Sequence, residues 1–170
     1  MILGRLVRNE LMKILDRTRT IVMLGLLILI VFLLALGQKL VVVSETPVNL
    51  WEFATSCTHL LFIVQLFTLV IAGDIISNEF SWGTIKLLLI RPVTRGKILL
   101  AKFAATVAFS LICMTILGVV SLLFGAVFFQ WTPETGNALS ILKKLGIIYG
   151  SYAVEVIVRA SLAFMFSSVS

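Results

Sequence analysis

Long charge-free apolar stretches, separated by short charged intervals, constrain the fold of this chain more than any other feature. Residues 20–38 and 53–73 hold nineteen and twenty-one positions without a formal charge. Residues 103–131 form a third such stretch, and residues 145–170 form a fourth that contains one acid and one base. About twenty apolar residues in a helix cross the ~30 Å hydrocarbon core of a bilayer. The pattern predicts an all-α, polytopic membrane bundle with four visible spans.

The overall composition favours the same class. The 170 residues are 60% hydrophobic and 13% charged, whereas globular domains carry about a quarter charged residues. The net charge of +6 indicates cytoplasmic loops and contact with membrane lipid. No basic run is interleaved with stacking aromatic residues, so nucleic acid is not expected as a partner. Cys57 and Cys113 lie inside apolar stretches and are expected to be packing residues rather than metal or redox groups.

Residues 2–18 predict an amphipathic helix in the membrane interface. Five basic residues lie among the first nineteen, and they form a face suited to anionic lipid. A signal peptide is the competing interpretation, but the charged region is long for one and no small-residue cleavage site follows Leu36. The apolar residues recur at helical spacing: Leu3, Leu6, Val7, Leu11, Ile14 and Leu15.

Residues 74–102 form the longest charged interval between two spans. Arg91 precedes Pro92 and is therefore pushed out of helical backbone space, after which Thr94 can cap a new helix. The interval predicts a helix, a tight turn and the start of a second helix. Basic residues at the start of that helix oppose its dipole, so either a cytoplasmic location or an acidic docking partner explains them. The basic residues are Lys86, Arg91, Arg95, Lys97 and Lys102.

The distribution of Lys and Arg predicts the orientation. The amino-terminal segment and the 74–102 interval hold five each, whereas residues 39–52 hold one and residues 132–144 hold two. Positive charge concentrates on the cytoplasmic side. The amino terminus, the central loop and the carboxyl end are therefore expected in the cytoplasm.

Three polar residues inside the spans are candidates for function. Glu155 and Arg159 are four residues apart, so they can pair on one helix face. Because bare charge in hydrocarbon costs several kcal/mol, the pair is expected to face protein or water. His59 either lines a substrate path or is a packed histidine near the outer surface. Its separation of two residues from Cys57 makes these two a poor metal pair, since they point to nearly opposite faces.

The third and fourth spans carry two further expectations. Residues 103–131 exceed the length a bilayer needs, so this helix must tilt or protrude. Gly118, Ser121 and Gly125 recur at intervals that allow close helix contact. The chain reaches Ser170 without a polar tail, which predicts a carboxyl-terminal truncation.

Motifs for covalent chemistry are absent from the sequence, so no enzymatic activity or bound metal is expected of it. It contains no GxxxxGK[ST], HExxH or GxSxG pattern. Glu155-x-x-x-Arg159 is similar to one fragment of the intramembrane CAAX-type proteases. The rest of that protease set is missing, because Val154 precedes the glutamate and the only histidine is far upstream.

The central loop resembles that of the type-2 ABC exporter permease family, and the start of the chain is similar to the entry helix of that family. The order of elements also agrees: an interfacial helix, two spans, a loop and two more spans. The resemblance lies in the following motifs: Asn9-Glu10-Leu11-x-Lys13, Ala72-Gly73-Asp74-Ile75-Ile76-Ser77-x-Glu79, Gly83-Thr84-Ile85-Lys86-x-Leu88 and Arg91-Pro92-Val93-Thr94-Arg95-x-Lys97-Ile98-Leu99-x-x-Lys102.

This resemblance implies a multi-pass subunit of the plasma membrane that works with partners. The family has six spans, two more than are visible here, and pairs two permease subunits, identical or different. A separate cytoplasmic ATPase subunit binds ATP and magnesium, and the permease itself needs no cofactor. The residues that the resemblance assigns to ATPase docking are Glu79, Thr84, Lys86, Arg91, Pro92, Arg95 and Lys97.

Two other classes of function fit the sequence. One is a membrane scaffold or immunity-type subunit that binds a partner through the same loop without transport. The other is a small channel or secondary transporter, in which His59, Glu155 and Arg159 would be the working groups. The substrate stays open, because an apolar helix wall suits peptides, lipids and drugs equally.

Overall fold

The computed structural model describes residues 2–41, 49–81, 95–129 and 138–169, which form helices and turns without any strand. A 3-10 turn at Thr58–Leu60 joins the third and fourth helices. Four segments are long and apolar enough to cross a membrane: Thr18–Leu40, Leu50–Ile75, Ile98–Phe128 and Leu142–Met165. The predicted all-α bundle with four spans is therefore confirmed. The helices are α1 (Ile2–Leu15), α2 (Thr18–Val41), α3 (Leu50–Cys57), α4 (Leu61–Ser81), α5 (Arg95–Phe128) and α6 (Ala138–Val169).

Helix α5 is the centre of the bundle and contacts each of the other five helices. Its buried residues recur at every fourth position from 101 to 125, which forms one ridge of the kind that packs into the groove of a neighbouring helix. Phe109 is among the largest fully buried side chains, whereas both ends of the ridge are small residues. The partners of α5 can therefore approach closely at its ends and interlock at its middle.

The small residues of α5 lie at helix contacts, as the sequence predicted. A Cβ atom added to Gly125 would lie 3.3 Å from the side chains of Leu50 and Phe53 on α3. One added to Gly118 would lie 3.5 Å from the Tyr149 hydroxyl oxygen on α6. The buried Ser121 lies between them. Two helices thus pack against the same end of α5 where its side chains are smallest.

Helix α2 has the surface expected of a helix surrounded by hydrocarbon. Its buried residues Leu27, Val31 and Ala35 recur every four positions. Most other apolar side chains of this helix, among them Ile21 and Leu29, are exposed on the outside of the bundle. A wide exposed apolar surface is unfavourable in water but is well solvated by lipid.

The second span differs from the predicted continuous helix over residues 53–73, because the 3-10 turn interrupts it. The hydroxyls of Thr55 and Ser56 donate to the Glu52 carbonyl at 2.8 and 2.9 Å. The hydroxyl of Thr58 donates to the Thr55 carbonyl at 2.6 Å. Such side-chain bonds compete with the backbone ladder and bend helices, so the run of hydroxyl residues explains the break.

Helices α5 and α6 begin before the predicted third and fourth apolar spans, 103–131 and 145–170, and the start of α5 agrees with the new helix predicted after Pro92. Helix α5 begins at Arg95 and α6 at Ala138, because a charged residue ends the apolar stretch without ending the helix. Long basic side chains near a membrane boundary extend toward water while their backbone stays helical.

Replacement of Gly125 by Leu is expected to destabilise the bundle by about 1–3 kcal/mol, because the new side chain would overlap Leu50 and Phe53. Gly25→Leu on α2 is the matched control, since nothing lies within 4 Å of the Cβ position there. Thermal unfolding of the purified protein in detergent measures both. Equal melting temperatures for the two variants would contradict the close α3–α5 contact.

Candidate functional site

The ends of α4 and α5 reach into the predicted 74–102 loop from both sides. Glu79 lies in the last turn of α4, and Arg95 and Lys97 lie in the first turn of α5. The predicted helical backbone at the two ends of this interval is therefore confirmed, and the predicted turn lies outside the described residues. Helical backbone at both ends fixes where the intervening segment enters and leaves the bundle.

The remaining docking residues predicted from the sequence lie outside the described residues; they are Thr84, Lys86, Arg91 and Pro92. The predicted cap Thr94 lies outside them as well. Lys102 is described, and its side chain is only 5% exposed. It therefore belongs to the packed interior and not to an exposed docking surface.

Helix α1 packs its apolar stripe against protein rather than presenting all of it to lipid. Ile14 is buried in the main core, and Val7, Leu11 and Leu15 pack against that core. The principal neighbour of α1 is α5. Its basic face stays outward: Arg5, Arg8 and Lys13 are exposed. The amphipathic helix is confirmed, and its position in the membrane interface stays a prediction.

Two polar contacts hold α1, α2 and α4 together near the start of the 74–102 interval. The buried Thr20 hydroxyl donates to the Ile14 carbonyl at 2.5 Å and closes the turn between α1 and α2. The Arg19 guanidinium donates to the Asp74 carboxylate of α4 at 2.5 Å. The side chain of Arg19 is 67% exposed, so solvent screens this ion pair and its net stabilisation is about 0–1 kcal/mol. It links α2 to α4 and adds little to the stability of the fold.

A second polar group lies inside the membrane-spanning part, between α4 and α6. Arg159 forms an ion pair with Glu155 one turn earlier on α6, as the spacing predicted. The Gln65 side-chain amide of α4 donates to the other Glu155 carboxylate oxygen at 2.7 Å. Gln65 and Glu155 both lie near the middle of their spans. We call Gln65, Glu155 and Arg159 the polar cluster.

The polar cluster is buried on one side and open on the other. Gln65 is 3% exposed, whereas the side chains of Arg159 and Glu155 are 39% and 42% exposed. Among the described residues, the side-chain amide oxygen of Gln65 (Oε1) is buried and accepts no hydrogen bond. The cluster therefore retains an unused acceptor in its interior and two half-exposed charged groups at its edge.

Sequence reasoning found the ion pair and missed Gln65. The available signal was an amide side chain in a stretch that otherwise reads as a membrane span. The pairing of Gln65 with a residue 90 positions later depends on the packing of α4 against α6, which the spacing of residues along the chain does not reveal.

His59 lies apart from the polar cluster, in the 3-10 turn near the other end of the second span. It is exposed, whereas Cys57 is fully buried, so the two side chains diverge as predicted. The described part of the chain contains no group of three or more His, Cys, Asp or Glu side chains placed to hold a metal. The predicted role of His59 in lining a path stays a prediction, and so does the lack of a metal or cofactor.

The fold and its polar groups define a multispanning helical membrane protein without a recognisable catalytic arrangement in its described residues. The family described as "Protein of unknown function (DUF2705)" matches residues 26–170, and the chain belongs to this family.

Two relatives from Bacillus subtilis (strain 168) are similar over much of the chain. The uncharacterized protein YhcI is 36% identical over 138 residues, which are 74% of this chain and 44% of YhcI. The uncharacterized membrane protein YdbK is 34% identical over 158 residues, which are 92% of this chain and 64% of YdbK. The chain thus spans less than two thirds of the length of either relative.

The polar cluster predicts an asymmetric response to charge removal. Glu155→Ala leaves the Arg159 guanidinium near mid-membrane without its carboxylate, and is expected to cost about 1–3 kcal/mol. Glu155→Ala combined with Arg159→Ala removes both charges and is expected to cost less than the single change. Thermal unfolding in lipid nanodiscs measures the difference.

The Glu10–Lys13 pair on α1, joined at 2.7 Å with the Lys13 side chain 68% exposed, lies outside the four spans and is the control for this comparison. Its single and double alanine variants are expected to differ by no more than a few tenths of a kcal/mol. If the double variant at 155 and 159 is less stable than Glu155→Ala, the pair does not compensate charge in the membrane.

Proposed function

We propose that this chain is a membrane-spanning permease subunit of an ATP-driven type-2 ABC exporter, located in the plasma membrane with its amino terminus in the cytoplasm. The observation that supports this most is the frame around residues 82–94. Helix α1 packs on α5, Thr20 closes the α1–α2 turn, and Arg19 binds Asp74 on α4. A force on the segment between α4 and α5 would therefore reach four helices that these contacts join.

The force would come from a separate cytoplasmic ATPase subunit that binds ATP and magnesium. The chain has no GxxxxGK[ST] pattern with which to bind nucleotide itself, so its part is mechanical. Nucleotide binding and hydrolysis in the partner shift the helices between inward-open and outward-open arrangements. A second permease subunit, identical or different, completes the path across the membrane.

Complementary charges would fix the orientation in which the ATPase docks on the loop. Four basic residues of the 74–102 interval, all but the buried Lys102, favour an acidic surface on the ATPase, because complementary charges steer association and fix orientation. Glu79, in the last turn of α4, adds one charge of opposite sign to the docking residues. The docking residues of this proposal are Glu79, Thr84, Lys86, Arg91, Pro92, Arg95 and Lys97.

Reversal of the basic charges at Arg91, Arg95 and Lys97 to Glu is expected to abolish co-purification of the proposed ATPase subunit, because the acidic partner surface would then be repelled. Reversal of Lys143 and Lys144 is the control. Both residues are exposed on the first turns of α6, which the proposed orientation places on the opposite side of the membrane. Quantified pull-down from detergent-solubilised membranes measures both sets.

Retention of the ATPase by the triple reversal would contradict docking through this loop. If the triple reversal loses the ATPase but leaves export unchanged, the chain does not drive that export. This result would instead favour a scaffold or immunity-type role, the non-transporting alternative.

A channel or secondary transporter is the second candidate, and the polar cluster is the observation that favours it. An ionisable pair near the middle of a span is a common feature of ion and proton pathways. This candidate expects flux in proteoliposomes that contain only the chain, and expects Glu155→Gln with Arg159→Gln to abolish it. An absence of flux without ATPase would contradict it.

A further inference from the structure

The fourth span is more polar than its exposure predicts if lipid alone surrounds it. The fourth span has a mean hydropathy of 1.4 and only 17% of it is buried in the bundle. The first span is similarly exposed, with 22% buried, and has a mean hydropathy of 3.0. Two helices of equal exposure in the same hydrocarbon should have similarly apolar surfaces, because exposed polar groups there cost free energy. The polar groups of α6 therefore need a surrounding that α2 does not need.

Two features of the polar cluster indicate that this surrounding is water. The charged side chains of Glu155 and Arg159 are half-exposed near mid-membrane, where hydrocarbon cannot solvate them. The side-chain amide oxygen of Gln65 is buried without a donor among the described residues, and water is the smallest donor that can reach a buried acceptor. An apolar helix laid over this face would satisfy neither group.

We propose that the polar cluster borders a water-filled recess that extends along α4 and α6 to the middle of the membrane and admits uncharged hydrogen-bonding groups. The cluster combines one carboxylate and one guanidinium with a neutral amide, so its net charge is zero and it does not favour ions of one sign. It presents both donors and acceptors, which suit amide or hydroxyl groups. The recess itself does not depend on the exporter role, whereas its use as part of an export path rests on the proposed function.

Cysteine labelling with a charged, membrane-impermeant methanethiosulfonate tests the recess, because a thiol reacts as the thiolate, which forms in water and not in hydrocarbon. Ser151→Cys and Val158→Cys place thiols on the exposed face of α6, one on each side of Glu155. Leu29→Cys on α2 and Leu111→Cys on α5 are the controls, because both positions are exposed near the middle of their spans. Val158 and Leu29 are matched in exposure, at 52% and 54%. The unaltered chain is the blank, since both native cysteines are buried.

The α6 thiols are expected to react at least about tenfold faster than the controls from one side of sealed vesicles. Addition of Glu155→Leu with Arg159→Leu to the Val158→Cys variant is expected to slow the reaction to the control rate, because the charges retain the water. Cationic and anionic reagents are expected to react at rates within about threefold of each other, since the cluster is neutral.

Three results would overturn the proposal. One is control-level labelling of both α6 thiols; the second is an unchanged rate after removal of the charge pair. The third is efficient disulfide formation between Val158→Cys residues of two copies, which would make this face a protein interface. A strong preference for one reagent charge would overturn the ligand class. None of these results depends on whether an ATPase binds, so the recess and the exporter role are tested separately.

Discussion

The solvation of charge by its surroundings determines where each polar group of this protein lies. Hydrocarbon supplies no hydrogen bonds and weakly solvates ions, so charged residues belong at the ends of spans or with partners inside. Arg19 and Asp74 meet near the ends of their apolar segments, where water screens them. Glu155 lies at least ten residues from either end of its span, and it pairs with Arg159 and with Gln65. The helices between these positions are almost free of charge.

Helix α4 connects the two polar regions. Asp74 and Gln65 lie nine residues apart on the same helix, which corresponds to about 14 Å at 1.5 Å per residue. A helix of that length moves as a rigid rod, so displacement of its cytoplasmic end in the proposed orientation would carry Gln65 with it. Because Gln65 is hydrogen-bonded to Glu155, α6 would follow. In the proposed orientation, α4 would therefore connect the 74–102 interval to the middle of the membrane.

The fold class and the number of spans followed from the sequence because each span must bury a fixed length of apolar residues, and that length is visible in the spacing of charges. The close-contact role of Gly125 and the Glu155–Arg159 pair were also predictable, since both depend on local helical spacing. The break at Thr58–Leu60 was not predicted because hydropathy treats Thr and Ser as tolerable in a span and ignores their bonds to backbone carbonyls. Gln65 was missed for a different reason: its partner is on another helix, and that contact is set by tertiary packing.

The contact of α1 with α5 bears on the order in which the protein is made. The chain is synthesised from its amino end, so α1 leaves the ribosome about eighty residues before the start of α5. Until α5 is inserted, the stripe that contains Val7, Leu11 and Ile14 lacks its principal protein neighbour. An amphipathic helix in that state associates with the lipid boundary. The predicted interfacial position would therefore hold α1 at the membrane surface until the third span is in place.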